Sequence, residues 1–155
     1  LYLWYDNKLM KEVLILFKID KEVLMIDYDG LNTNVTTTYG DVIFKGNNIK
    51  SILNESCISY GSSLHGRIKG SKWALKSKYK LPIVVSEKEK LVFFPVKEMG
   101  KEIWVNFEMI NDVKRYKDSV KVEFKNGLKV DINVSYTVFN NQVLKASRLW
   151  IIFLS

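Results

Sequence analysis

The sequence predicts an α+β fold, a single β-rich domain closed by a C-terminal helix, and three observations predict it. Short runs of β-branched and aromatic residues recur along the chain and are broken by polar turn pairs such as Asp20-Lys21 and Asn126-Gly127. A sustained helical apolar period appears only after Ser135. The 155 residues are 47% apolar and 26% charged, a globular composition at the size of one domain.

Residues 13–19 and 23–28 read as two strands broken at Asp20-Lys21, and residues 33–45 as a strand pair around Tyr39-Gly40-Asp41. Ile49, Ile52 and Leu53 stand at helical spacing after Asn47-Asn48, which can cap a short helix ending before Gly61. Residues 81–86 and 91–96 read as strands around Ser86-Glu87-Lys88-Glu89-Lys90. Residues 102–108 read as a further strand with Ile103, Val105 and Phe107 on one face.

Residues 120–134 form a hairpin whose register can be argued. A two-residue Asn126-Gly127 loop would set Phe124 opposite Lys129 and Val122 opposite Asp131. A three-residue loop of Lys125-Asn126-Gly127 sets Phe124 opposite Leu128, Val122 opposite Val130 and Val120 opposite Ile132. Only the longer loop collects one apolar face, with Gly127 in the left-handed position. The last element is a helix from about Tyr136 to Phe153, on which Phe139, Val143, Ala146, Trp150 and Phe153 form a core-facing stripe. Ile152 falls off that stripe, where a second subunit could cover it.

Composition narrows the function. Cys57 is the only cysteine, which excludes an internal disulfide and fits an intracellular protein. One Cys and one His cannot build a zinc site of the usual kind, and no cofactor is expected. The longest apolar runs, 13–17 and 149–154, are too short to span a bilayer. No signal peptide is visible, since the apolar N-terminus soon carries Asp6.

Charge is the strongest functional signal. Residues 45–80 hold eight basic residues against Glu55 alone, a net of +7 that equals the net charge of the whole chain. The remainder is balanced, sixteen basic against sixteen acidic. A concentrated positive excess is the footprint of a polyanion-binding surface. It coincides with Gly61-Ser62-Ser63-Leu64-His65-Gly66-Arg67-Ile68-Lys69-Gly70, read as a glycine-rich loop. Glycines let backbone N–H groups approach an anion, and Ser62 and Ser63 can donate to phosphate oxygens. Arg67 is the only guanidinium of this zone and suits a narrow, AT-rich minor groove. Lys76, Lys78 and Lys80 alternate with other residues and would share one strand face about 6.6 Å apart. Each could meet a phosphate. The bland readings are a tight surface turn and a solvated or lysine-guarded edge strand.

An enzyme is the weaker reading. Ser62, Ser63 and His65 lack the Gly-x-Ser-x-Gly elbow, and no second His offers a base. Cys57 with His65 fails for the same reason, and Cys57 reads as buried. Gly61 and Gly66 have the gap of a Walker loop, but Arg67-Ile68 follows instead of Lys-Ser/Thr. An anion-binding loop therefore stays open as an alternative, as does RNA or another polyanion, because phosphate contacts are shared. Few aromatics lie inside the basic loop itself, which argues against single-strand stacking. His65 could make binding pH-sensitive.

The chain also resembles the ComK family of competence transcription factors from Gram-positive bacteria. The resemblance is carried by Ser56-Cys57, Tyr60-Gly61-Ser62-Ser63, Gly66-Arg67 and Gly70, and continues in order through Lys80 with Pro82-Ile83, Phe93-Phe94-Pro95 and Trp104. It extends through Phe124 with Asn126-Gly127, Ser135-Tyr136, Phe139, Asn141-Gln142-Val143 and Leu149, with Tyr28-Asp29-Gly30 a weaker match upstream. It covers about 23–153 within one DNA-binding domain over 1–155. Leu81-Pro82 stands where that family usually has two prolines, the usual C-terminal extension does not follow, and the chain opens on Leu1.

The resemblance implies an activator of DNA-uptake and recombination genes that binds AT-rich boxes through the minor groove, acts as an oligomer and meets RNA polymerase at its promoters. It implies a cytoplasmic, nucleoid-associated protein with no membrane partner. A proteolysis adaptor is a further family partner, not expected to engage without the C-terminal extension. With the charge count, the expected DNA-binding set is Ser62, Ser63, His65, Arg67 and Lys69, continued by Lys72, Lys76, Lys78 and Lys80.

Overall fold

The computed structural model describes residues 2–4 and 17–155. The expected strand at 13–19 falls partly outside these residues, and residues 17–20 form no regular element. They are instead tied to a helix: the Ile19 amide donates to Ser56 Oγ at 3.0 Å, and the Tyr60 hydroxyl donates to the Ile19 carbonyl at 2.7 Å.

Seven strands form one sheet: β1 (Tyr2–Trp4), β2 (Val23–Tyr28), β3 (Asn32–Thr37), β4 (Gly40–Lys45), β5 (Ile83–Ser86), β6 (Leu91–Glu98) and β7 (Lys101–Asn106). Their spatial order is β1-β4-β3-β2-β7-β6-β5, with β1 parallel to β4 and the other pairs antiparallel. A second, antiparallel sheet holds β8 (Ile110–Arg115), β9 (Val120–Phe124) and β10 (Lys129–Ile132) in the order β10-β9-β8. Among the described residues the helices are α1 (Ile49–Ser59), α2 (Leu64–Leu75) and α3 (Tyr136–Leu154). The fold is α+β, as the sequence predicts.

Strand alternation divides the large sheet between two cores. Leu91 and Phe93 of β6 join Ile26, Phe44, Ile52 and Trp104 in the core beneath α1. Val92, Phe94 and Val96 join Val105, Phe124, Phe139 and Ala146 in the core shared with α3 and the small sheet. Among the described residues, α2 begins in the first core with Leu64 and ends in the second with Ala74. It therefore runs past the edge strand β5 and covers an edge that would otherwise be open.

The β9–β10 hairpin has the three-residue loop. Val122 pairs with Val130 and Val120 with Ile132, the Phe124 amide donates to the Leu128 carbonyl at 2.8 Å, and Gly127 has φ of 91°. The strand expected over 102–108 ends at Asn106, and Phe107 enters a short 3-10 turn. Asn106 causes the break. Its Oδ1 accepts from the Glu108 amide at 3.2 Å, and its Nδ2 donates to the Val23 carbonyl at 2.8 Å beside the β2 bulge.

The buried face of α3 differs from the expected stripe. Phe139, Gln142, Ala146, Leu149 and Leu154 are buried, while Val143, Trp150 and Phe153 flank them half-buried. Gln142 displaces the centre because the core needs its amide. Gln142 Nε2 donates to the carbonyls of Lys80 at 2.9 Å and Pro95 at 2.7 Å. β5 pairs with β6 only as far as Ile83 opposite Phe93, so beyond it the Pro95 carbonyl needs another donor. Ile152 stands outside the core at 41% exposure, and no helix among the described residues is long and apolar enough to cross a membrane.

Candidate nucleic-acid interface

The basic segment is not a loop. Gly61, with φ of 88°, makes the turn after α1, and Ser63 starts α2 as its N-cap, accepting from the Gly66 amide at 3.0 Å. Helix, four-residue turn and second helix follow one another within 49–75. The Leu64 amide is satisfied from α1 by Asn54 Oδ1 at 3.1 Å, and Ser71 Oγ donates to the buried Pro82 carbonyl at 2.6 Å.

This corrects the role expected of the glycines. Gly66 and Gly70 lie inside α2, so they do not form a backbone cradle for an anion. Gly66 instead leaves room for the cap, since a Cβ there would stand 3.3 Å from Ser63 Oγ and 3.4 Å from Ser62 Oγ. Ser63 is engaged as the cap and is partly buried, as is Ser62.

The helix gathers the cations the sequence had dispersed. His65, Lys69, Lys72 and Lys76 recur at intervals of four, three and four, which places them on one face of α2. All four are exposed. Leu64, Ser71 and Ala74 face the interior. Lys72 and the C-cap Lys76 also lie where the negative end of the helix dipole favours cations.

Arg67 lies off this stripe. Its side chain is only 17% exposed, and its Nη1 pairs with Glu87 Oε1 at 3.0 Å. Among the described residues its Nε is buried without a hydrogen-bond partner, which costs free energy. Arg67 therefore does not stand in a loop: it lies on α2, folded against the β5–β6 turn.

Residues 76–82 form no strand, so Lys76, Lys78 and Lys80 do not alternate along one strand face. Lys76 and Lys80 adopt left-handed backbone conformations, with φ of 51° and 48°. Side chains from elsewhere fix the segment. Gln142 holds the Lys80 carbonyl, Lys145 Nζ donates to the Tyr79 carbonyl at 3.3 Å, and Ser71 holds Pro82. Lys78 and Lys80 are exposed and extend the charge beyond the end of α2.

Three features escaped the sequence argument. Gln142 and Ser71 position the lysine segment, and their signal was a polar residue at a buried helical position. Lys50 on α1 borders the same shallow depression as His65. Trp73 and Tyr79 are 73% and 79% exposed beside the lysines. Cys57, by contrast, is buried as expected; burial pushes its thiol up to about 11, against the opposing charge of Arg67.

Fold and site define an α+β protein in which two helices joined by a short turn present an exposed cationic face. The family profile described as ComK protein matches residues 19–154, and the chain belongs to the ComK family. Over 101 residues it is 30% identical to the competence transcription factor of Bacillus subtilis (strain 168), a match covering 63% of this chain and 53% of that protein. The chain thus spans about half the length of that relative. No solved structure matches it.

Proposed function

We propose that the protein is a competence transcription factor that binds duplex DNA through the outer face of α2 and the 76–82 segment. The observation that carries this reading is the stripe His65, Lys69, Lys72 and Lys76, exposed on one helix face and continued by Lys78 and Lys80. Cations on a rigid element keep their spacing, which suits the regular repeat of a phosphate backbone. Ser62 and Ser63 act in this reading at the start of the helix, as support for its position and as phosphate donors where their hydroxyl hydrogens are turned outward. Family membership supports the regulatory role, and the name of the Bacillus relative supports competence genes as the target. Residues 1–155 would then act as one DNA-binding domain in the cytoplasm, on the nucleoid, as an oligomer at promoters served by RNA polymerase.

The finer reading is recognition of AT-rich boxes from the minor groove, with Arg67 leaving Glu87 to enter it. A narrow A·T groove attracts a guanidinium, and the unsatisfied Nε gives Arg67 a reason to exchange partners. The helix–turn–helix favours a second reading. A whole helix fits the major groove, about 12 Å wide, and not the minor groove, about 6 Å wide.

Mobility shifts on AT-rich and GC-rich duplexes with a minor-groove competitor separate the two. Minor-groove binding predicts displacement by the competitor, and Glu87→Gln should raise AT preference about twofold by releasing Arg67. Binding that persists under competition, with no effect of Glu87→Gln, assigns α2 to the major groove. Absence of any duplex binding overturns both readings.

A further inference from the structure

Beside the basic stripe lies a furrow of about 630 Å³ that the DNA reading does not use. Its apolar floor comes from Ile68 of α2, Leu81, and Pro95 and Trp104 on the paired strands β6 and β7. Lys72, Lys78, Lys80 and Lys97 ring it, with Glu102 as the one acid of the lining. Glu102 Oε1 accepts from the Trp104 indole at 2.6 Å. Lys97 stands opposite Glu102 across the strand pair, yet among the described residues none of the four ammoniums is paired with a carboxylate. A second hollow of about 460 Å³ shares Ile68, Glu102 and Trp104 and leads toward Lys50.

We propose that this furrow binds a nucleoside polyphosphate. The volume falls within the range of small-molecule sites, about 300–1,000 Å³. Four unpaired ammoniums around an apolar floor match a ligand with several negative charges at one end and an apolar body at the other. Tyr79 at the rim is 79% exposed, so its ring is free of packing and can close over a planar base. The phosphates meet the surrounding lysines, and the base lies over the apolar floor of Ile68 and Leu81. Lys72, Lys78 and Lys80 belong both to this furrow and to the proposed DNA face, so bound nucleotide neutralises charges that duplex binding uses. The two ligands therefore oppose each other, and the coupling is reciprocal. The site itself does not rest on the DNA reading, because Lys97, Glu102 and Trp104 lie outside that face.

The test is displacement of a fluorescent ATP analogue from the full chain at physiological ionic strength, by ATP, adenosine and tripolyphosphate. ATP is expected to compete at least about tenfold better than either half-molecule. Lys97→Ala and Tyr79→Ala should each weaken ATP by about tenfold, and Lys97→Ala, which lies outside the proposed DNA face, should leave the salt dependence of duplex binding unchanged. Circular dichroism confirms that each variant is folded, and the second variant serves if the first is not. In the native chain ATP should also release bound duplex. Tripolyphosphate competing as well as ATP would reduce the furrow to bare charge attraction and overturn the proposal, as would full ATP affinity in both variants. Nucleotide binding without duplex binding would sustain the furrow and sink the DNA reading; the reverse would do the opposite.

Discussion

The segment from Gly61 to Lys80 and the small sheet from Ile110 to Ile132 carry six cations each. The segment has no acid, whereas the sheet has four, Asp112, Asp118, Glu123 and Asp131. On the β9–β10 side strand pairing sets two of those acids against cations, although across β8–β9 Asp112 faces Glu123 and Lys114 faces Lys121. Asp131 faces Lys121 with Oδ1 and Nζ 3.8 Å apart, and Glu123 faces Lys129. The ammoniums of Lys114 and Lys121 lie 5.7 and 5.8 Å from the Tyr116 ring, and Arg115 lies 5.5 Å from Tyr136. On α2, among the described residues, Arg67 alone is engaged in this way. Equal numbers of cations thus give two different surfaces, because the field outside a protein depends on which charges are already answered within it.

The strongest way to break this comparison is matched charge reversal. Lys72→Glu with Lys76→Glu should weaken duplex binding by on the order of a hundredfold near 0.1 M salt, whereas Lys121→Glu with Lys129→Glu should change it less than about threefold. Fluorescence anisotropy gives both, and equal losses would mean that total charge matters and not its placement.

Next in size is the support beneath the lysine segment. Gln142→Leu leaves the Lys80 and Pro95 carbonyls without their amide donor and should cost about 2 kcal/mol of stability in urea unfolding. Duplex binding should weaken with it as residues 76–82 relax. Unchanged stability would mean that water or another donor replaces the glutamine.

The helix cap sharpens the same point. Ser63→Ala should cost about 1 kcal/mol, while Ser63→Asp keeps a cap acceptor and should nearly match the native stability. A folded Ser63→Asp variant should nonetheless bind duplex several-fold more weakly, because it adds an anion to the cationic face. Binding unaffected by that aspartate would move the interface away from the start of α2.

The smallest expected effect is on pH dependence. Burial raises the Cys57 thiol from 9.0 to about 11, so the folded state holds the proton that the unfolded chain loses first. This contribution is fully present below about pH 9 and is lost as pH rises toward 11. Stability followed by denaturant between pH 8 and 11 should fall, and a Cys57→Ala variant should fall less. An identical decline in both would remove Cys57 as its cause.

Legibility in the sequence followed how strongly side chains alternate. The β9–β10 register could be argued because one loop length alone collected Val120, Val122 and Phe124 against Ile132, Val130 and Leu128. β8 gave no such signal: Ile110 and Val113 are its only apolar residues, and a bulge lies between Ile110 and Asp112. The α2 helix was hidden by Gly66 and Gly70 and by a buried face holding Ser71 beside Leu64 and Ala74. Its signature was in the cations, His65, Lys69, Lys72 and Lys76, whose spacing is helical. The alternation of Lys76, Lys78 and Lys80 resembled a strand, but left-handed residues at 76 and 80 break it. Several residues that carry the family resemblance, among them Ser56, Tyr60, Ser63 and Gly66, turn out to brace the two helices. A motif can therefore mark a site by holding it in place.

The central claim is that the α2 face is the duplex-binding surface, and its salt dependence tests this most directly. With about six phosphate contacts, the logarithm of affinity should fall against the logarithm of salt concentration with a slope near −5. Replacing Lys69, Lys72 and Lys76 together with Ala should make that slope shallower by about 3, equally on all duplexes. A native slope near zero, or a slope the triple variant leaves unchanged, would contradict the account.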